Sequence, residues 1–160
     1  MSMTKWFDTN YHYIVPEFLP ETAFSLSSER LFSEVREAKA LGHAVKAVLL
    51  GPVSFLYLGR EKAEGFDRLS LLPGLLPVYR RILSRLHDEG VEWVQMDEPV
   101  LGLDIGEKWL SSFSRAYGEL SGQGVKLLLA TYFSSLDEHV AEVCALPVDG
   151  LHIDAVRGRK

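Results

Sequence analysis

VEWVQMDEP, residues 91–99, passes from apolar to acidic within a few positions. Val91, Trp93, Val94 and Met96 have the character of a buried strand. Asp97, Glu98 and Pro99 then stop it with two carboxylates and a residue that cannot extend a ladder. An apolar run ending in polar groups is what a parallel α/β sheet produces at its carboxyl edge, where ligands bind. The fold reading rests on finding this unit again on either side.

It recurs. Upstream, Pro77 to Leu86 reads as a helix with Val78, Ile82, Leu83 and Leu86 inward, and Gly90 stops it. Further upstream, VKAVLL (residues 45–50) is an apolar run broken by Gly51-Pro52, followed by the aromatic stretch SFLYLGR with a turn at Gly59. Residues 60–70 are charged and read as loop or short helix. Another helix starts behind an N-cap at Ser27 or Ser28, with Glu29 in its first turn. Its stripe is Leu31, Phe32, Val35, Ala38 and Leu41, and Gly42 stops it. The first run is YHYIV (residues 11–15), with loop expected from Pro16 to Pro20.

Downstream of the central run, a helix is expected over roughly Glu107 to Leu120, burying Trp109, Leu110, Phe113, Tyr117 and Leu120. VKLLLA (residues 125–130) is the next strand. Ser135 to Glu138 has the spacing of a capping box for a helix burying Leu136, Val140 and Val143. Leu151 to Ile153 is the last run, closed by Asp154. Strand and helix alternate with connections too long for hairpins, which implies parallel strands joined by right-handed crossovers. The reading is therefore an α/β chain of about five parallel strands with crossover helices.

A closed (βα)8 barrel usually needs ~200 residues or more, so a chain of 160 residues is expected to form only part of one. Nothing after the last strand supplies a covering helix, and the opening MSM has the look of a start placed within a longer protein. The composition, 47% hydrophobic and 24% charged, is that of a globular domain. A net charge of −5 without a basic run argues against nucleic acid or an anionic membrane as partner. No apolar run reaches ~18 residues, and MSMTKWFD does not resemble a signal peptide. The one cysteine, Cys144, excludes an internal disulfide and fits a reducing compartment, hence a cytoplasmic location.

Asp97 and Glu98 are the first chemical candidates, but strand neighbours point to opposite faces. Glu98 with Asp154 could instead form the carboxylate pair of a hydrolase, which needs a separation of about 5 to 9.5 Å. The plainer alternative is that one carboxylate holds nearby backbone N–H groups while the other is solvated. His152 and Asp154 lie two apart and, with Asp97, could bind a metal. Their plainer reading is a histidine held by a local hydrogen bond. Lys5, in the aromatic-rich KWFDTNYHY (residues 5–13), is a candidate anion hook or simply an exposed lysine. No Cys-x-x-Cys, phosphate-binding glycine loop or nucleophile elbow is present.

Six segments, taken together, resemble the amino-terminal half of the cobalamin-independent methionine synthase family. They are MTKWFDTNYHYIVPEF (3–18), VLLGPVSFLYLG (48–59), FDRLSLLPGLLPVY (66–79), VEWVQMDEPVL (91–101), VKLLLATYF (125–133) and LPVDGLHIDAVRG (146–158). The resemblance covers essentially the whole chain, in order. It implies a much longer enzyme of two (βα)8 barrels that moves the methyl group of 5-methyltetrahydropteroyltriglutamate to homocysteine. In such an enzyme the catalytic zinc and its ligands belong to the carboxy-terminal barrel. The implied role of this chain is structural support and help in holding the folate polyglutamate tail, with Lys5 at the matching contact. No catalytic or metal-ligating residue, and no cofactor, is expected within the chain.

Asp97 stands in a DEP motif, which the catalytic barrel also carries with an aspartate that contacts homocysteine. Here DEP continues as VLGLDI, lacking the Arg-Glu of that copy, so Asp97 reads as a relic of duplication. Residues 1–160 are thus expected to be one partial domain, about strands three to seven of the amino-terminal TIM barrel. The expected partners are the folate triglutamate, the missing catalytic barrel, and a second copy of the chain through open sheet edges. The alternative is a stand-alone folate-polyglutamate-binding or interaction module that pairs with a separate catalytic chain.

Overall fold

The computed structural model describes residues 2–136 and 138–158. Met1 of the opening MSM, Asp137 of the expected capping box, and Arg159 and Lys160 of the closing VRGRK lie outside the described residues. The core of the fold is a four-stranded parallel sheet with β4 (Lys46–Leu50), β6 (Trp93–Asp97), β7 (Lys126–Ala130) and β8 (Gly150–His152) side by side in that order. Each crossover carries helix: α2 (Pro52–Tyr57) and α3 (Leu72–Asp88), then α4 (Gly106–Leu120), then α5 (Val140–Cys144).

Parallel register places Leu50, Asp97, Ala130 and His152 in one row at the carboxyl edge. Alternation along the strands then sorts the side chains. Ala47, Val94, Met96, Leu127 and Leu129 face the helices and are buried. They meet Leu76, Leu83 and Leu86 of α3 and Phe113, Ala116, Tyr117 and Leu120 of α4 in one core. The opposite face carries Lys46, Val48, Trp93, Gln95, Asp97, Lys126 and Leu128, and none of these is fully buried.

The main sheet has four strands rather than about five, because the first apolar run does something else. β2 (His12–Ile14) pairs antiparallel with β1 (Met3–Lys5), with Lys5 opposite His12. This hairpin corrects the expectation of parallel strands throughout. Its turn is closed by Trp6 N–H donating to the Tyr11 carbonyl at 2.8 Å and by Thr9 Oγ1 donating to the Trp6 carbonyl at 2.6 Å. The segment expected as loop after Pro16 contains β3 (Glu17–Phe18), which pairs with β5 (Arg60–Glu61) in a separate parallel ladder.

Several helix expectations also shift. Ser54 to Tyr57 of the aromatic stretch belong to α2, whose first residue is Pro52, because a proline's fixed φ suits the first helical turn. α3 starts at Leu72 rather than Pro77, with Pro77 inside it. Burial of Leu72, Leu75, Leu76 and Tyr79 on one stripe outweighs the hydrogen bond that an internal proline forgoes. α1 (Arg30–Ala40) buries Phe32 and Val35, but Leu41 lies past its end and is 70% exposed. Its N-cap is Glu29, without a side-chain cap. α5 starts at Val140 behind His139, so Ser135 and Glu138 precede the helix instead of boxing it, and Val140 is exposed.

Candidate functional site

Asp97 and Glu98 part company at the end of β6. Glu98 is fully buried on the helix side. Its carboxylate accepts from the Ser54 N–H at 2.7 Å, the Val53 N–H at 3.4 Å and the Tyr117 hydroxyl at 2.9 Å. Gly51, the N-cap of α2, offers no side-chain acceptor, so Glu98 caps that helix from 44 residues away. The arrangement needs glycine at 51, since a Cβ there would fall 2.0 Å from Glu98 Oε1. Burial pushes the Glu98 carboxyl up to about 7, against the pull of its Ser54, Tyr117 and Val53 donors. The other end of α2 is held by Arg68, whose guanidinium donates to the Leu56 carbonyl at 2.8 Å and the Tyr57 carbonyl at 3.0 Å.

Asp97 faces the other way and is half-buried. It accepts from Gln95 Nε2 at 2.7 Å and from the Tyr132 hydroxyl at 3.2 Å. Lys46 Nζ donates to Gln95 Oε1 at 2.5 Å, which extends this polar line across the uncovered face. Burial, Asp97 itself and the Asp97 hydrogen bond all raise the Tyr132 hydroxyl's pKa, with Trp6 close by. Trp6, Phe7, Tyr13, Tyr132 and Phe133 form an aromatic cluster, with Trp6–Phe7 at 5.2 Å, Trp6–Tyr13 at 5.4 Å and Phe7–Phe133 at 5.8 Å between ring centroids. The hairpin bearing Lys5 therefore docks at the carboxyl edge of the parallel sheet. Lys5 is exposed there and makes no ion pair among the described residues.

Asp154 does not join Glu98 in a cleft. Its Oδ2 accepts from the Phe133 N–H at 3.0 Å, and its Oδ1 from the Val156 and Arg157 N–H groups at 2.9 Å each. Those donors hold its carboxyl below the usual range. With Glu98 enclosed by α2 and α4, the paired-carboxylate hydrolase reading fails on geometry. The shared metal-binding face of His152, Asp154 and Asp97 fails likewise. His152 is exposed beside Ala130, and Asp154 lies beyond β8 in the following turn. Among the described residues no three His, Cys, Asp or Glu side chains gather as a metal site would require.

Asp8, Tyr117, Tyr132 and Arg157 carry roles here that the sequence does not assign them. Arg157 Nη1 donates to both Asp8 carboxylate oxygens, at 2.6 and 2.7 Å, and its guanidinium lies 5.3 Å over the Phe133 ring. Beside this contact lies a cavity of about 450 Å³ lined by Gly102, Asp104, Phe133, Ser134, His139 and Arg157. For Tyr117, the only sequence signal was a tyrosine on a stripe otherwise apolar.

Repeated strand–helix units with polar groups gathered at the carboxyl edge define a chain of the barrel-forming (βα) class. A family profile described as "Cobalamin-independent synthase, N-terminal domain" matches residues 1–160, and the chain belongs to that family. It is 58% identical over 154 residues to 5-methyltetrahydropteroyltriglutamate–homocysteine methyltransferase of Nitrosomonas europaea, covering 96% of this chain and 20% of that protein. The counterpart of the same name from Photobacterium profundum is 59% identical over 152 residues, again with 20% of its length covered. The chain thus spans about a fifth of these relatives.

Among solved structures, a Listeria monocytogenes protein assigned as a vitamin-B12 independent methionine synthase superposes with a TM-score of 0.63 at 16% identity. The match covers 84% of this chain and 46% of that one. A B12-independent methionine synthase of Shewanella, in complex with selenomethionine, gives a TM-score of 0.59 at 16% identity, covering 78% of this chain and 36% of that one. At that identity the likeness speaks for the fold alone, and it bears out a partial TIM-barrel arrangement. No helix among the described residues is long and apolar enough to cross a membrane.

Proposed function

We propose that the chain is the non-catalytic part of a cytoplasmic methyltransferase that moves the methyl group of 5-methyltetrahydrofolate polyglutamate to homocysteine. In this reading it supplies scaffold and a contact for the glutamate tail. Thiol activation by zinc belongs to a separate catalytic barrel. The observation that carries the reading is Lys5, an exposed ammonium without an ion-pair partner among the described residues, on a hairpin docked at the carboxyl edge of the sheet. An ammonium there suits a polyanionic tail as a point charge. The names of the relatives, which specify a triglutamate folate, favour the same ligand.

Titration calorimetry with 5-methyltetrahydropteroyltriglutamate tests it. Lys5→Ala should weaken binding about tenfold, the scale of one charge-assisted contact. Equal affinity of the two forms would remove the tail-binding role. The 160-residue chain by itself should show no methyl transfer to homocysteine. Turnover by it would place the reactive centre here after all.

The uncovered sheet face favours a second reading, an interaction module that associates with a second copy of this chain through its open sheet edges. Val48 is 50% exposed there, and β4 and β8 form the two edges of the four-stranded sheet. Sedimentation velocity should show concentration-dependent association. A monomer at every concentration would discard this second reading.

A further inference from the structure

The hairpin that carries Lys5 forms its own two-stranded sheet, outside the main one. Its docking contacts are few and specific. Tyr13 donates its hydroxyl to the Leu58 carbonyl at 3.0 Å. At the tip, two consecutive residues are gripped: Phe7 by the Phe133 ring and Asp8 by Arg157. Phe7 and Phe133 both hold left-handed backbone conformations, φ +53° and +73°. Such conformations are costly for bulky residues and persist only when their surroundings over-determine them.

Asp154 holds the Phe133 end of this contact. Its carboxylate joins the Phe133 N–H, from the loop after β7, to the Val156 and Arg157 N–H groups, from the turn after β8. The turn closes through Gly158, whose N–H donates to the Asp154 carbonyl at 3.0 Å. A Cβ at 158 would fall 2.5 Å from that carbonyl oxygen and 3.1 Å from the Ser134 carbonyl oxygen. One carboxylate thus fixes Phe133 and Arg157 relative to each other. Those two residues in turn hold Phe7 and Asp8, the second and third residues after Lys5.

We infer that Asp154, Arg157 and Asp8 form a clamp that positions Lys5, setting where its ammonium meets an anionic ligand. The inference rests on the tail-binding reading above. Asp8, Arg157 and Asp154 act as positioning residues. Arg157 is already engaged by Asp8 in a two-pronged pair and makes no contact of its own with the tail.

The test is a double-mutant cycle on triglutamate affinity, in the complete reading frame that encodes this sequence. Asp8→Asn should weaken binding about 3- to 10-fold. Lys5→Ala should cost less than about twofold once Asp8→Asn is present, because a misplaced ammonium has little left to lose. A merely structural role would leave the Lys5→Ala factor the same in both backgrounds, and that result overturns the clamp. So does tighter binding by Asp8→Asn, which would mean that Arg157 contacts the ligand itself once released. Exchanging the pair, Asp8→Arg with Arg157→Asp, should restore affinity to within about twofold, and failure to restore it counts against the clamp. If Lys5→Ala has no effect in the unaltered background, the tail-binding reading fails first. If Lys5→Ala weakens binding and Asp8→Asn does not, only the clamp fails.

Discussion

On the helix side of the four-stranded sheet, Val94, Met96, Leu127 and Leu129 are out of contact with solvent, and even a carboxylate, Glu98, is fully enclosed. On the opposite side, Lys46 and Lys126 are exposed and Val48 is half exposed. The boundary between these regimes falls between two adjacent residues, Asp97 and Glu98. One is tied to a tyrosine and a glutamine on a partly solvated face, the other to two backbone N–H groups and a tyrosine in the core. Identical chemistry is turned to different ends by a change of face. Enclosure makes Glu98 structural and proton-sensitive, whereas Asp97 lies on a face that solvent reaches.

The contrast can be broken most severely at Glu98. Glu98→Ala should lower unfolding free energy by about 3–5 kcal/mol, since it leaves a cavity and strands the Ser54, Val53 and Tyr117 donors. Urea unfolding would report it, and a loss below about 1 kcal/mol would mean that the two carboxylates are equivalent after all.

pH provides the next lever. Burial raises the folded-state carboxyl to about 7, above its ordinary value near 4.5. The folded state therefore holds a proton that the unfolded state has released. The stability contributed by this group is fully present below about pH 4.5 and is lost as pH rises through about 7, a difference of about 3 kcal/mol. Denaturation midpoints across that range should fall more steeply for the native chain than for Glu98→Gln. Parallel profiles would refute the assignment.

Gly51→Ala should cost about 1–3 kcal/mol, by forcing the Glu98 side chain out of its place as a cap. A melting temperature unchanged by the substitution would mean that the contact relaxes freely. Asp97→Asn should change stability by no more than about 0.5 kcal/mol, which is typical away from buried charge. A loss matching that of Glu98→Ala would erase the distinction between the two faces.

Much of the sheet was legible because periodicity and stop signals are local properties. α4 was read to within a residue of its start, and the central strand ended where Asp97 and Pro99 indicated. The hairpin was missed although Asp8, Thr9 and Asn10 are turn-forming residues between two short runs, because the strand–helix rhythm of the remainder was extended over it. Glu98's burial could not be seen locally, since its donors arrive from 44, 45 and 19 residues away. One clue was present: a helix opening with Gly51-Pro52 brings no acceptor for its first N–H groups and must find one elsewhere. Arg157 and Asp8 lie 149 residues apart, and no pattern in the chain announces their meeting.

The enclosed carboxylate ties the closing of its corner of the fold to acidity. Its donors come from two separate helices, Val53 and Ser54 from α2 and Tyr117 from α4, so it is satisfied only after both have converged on β6. Until then, an ionised Glu98 moving out of water has nothing to compensate it, whereas a neutral one makes the same journey at little expense. Mild acid therefore favours the closing of this corner, and rising pH works against it.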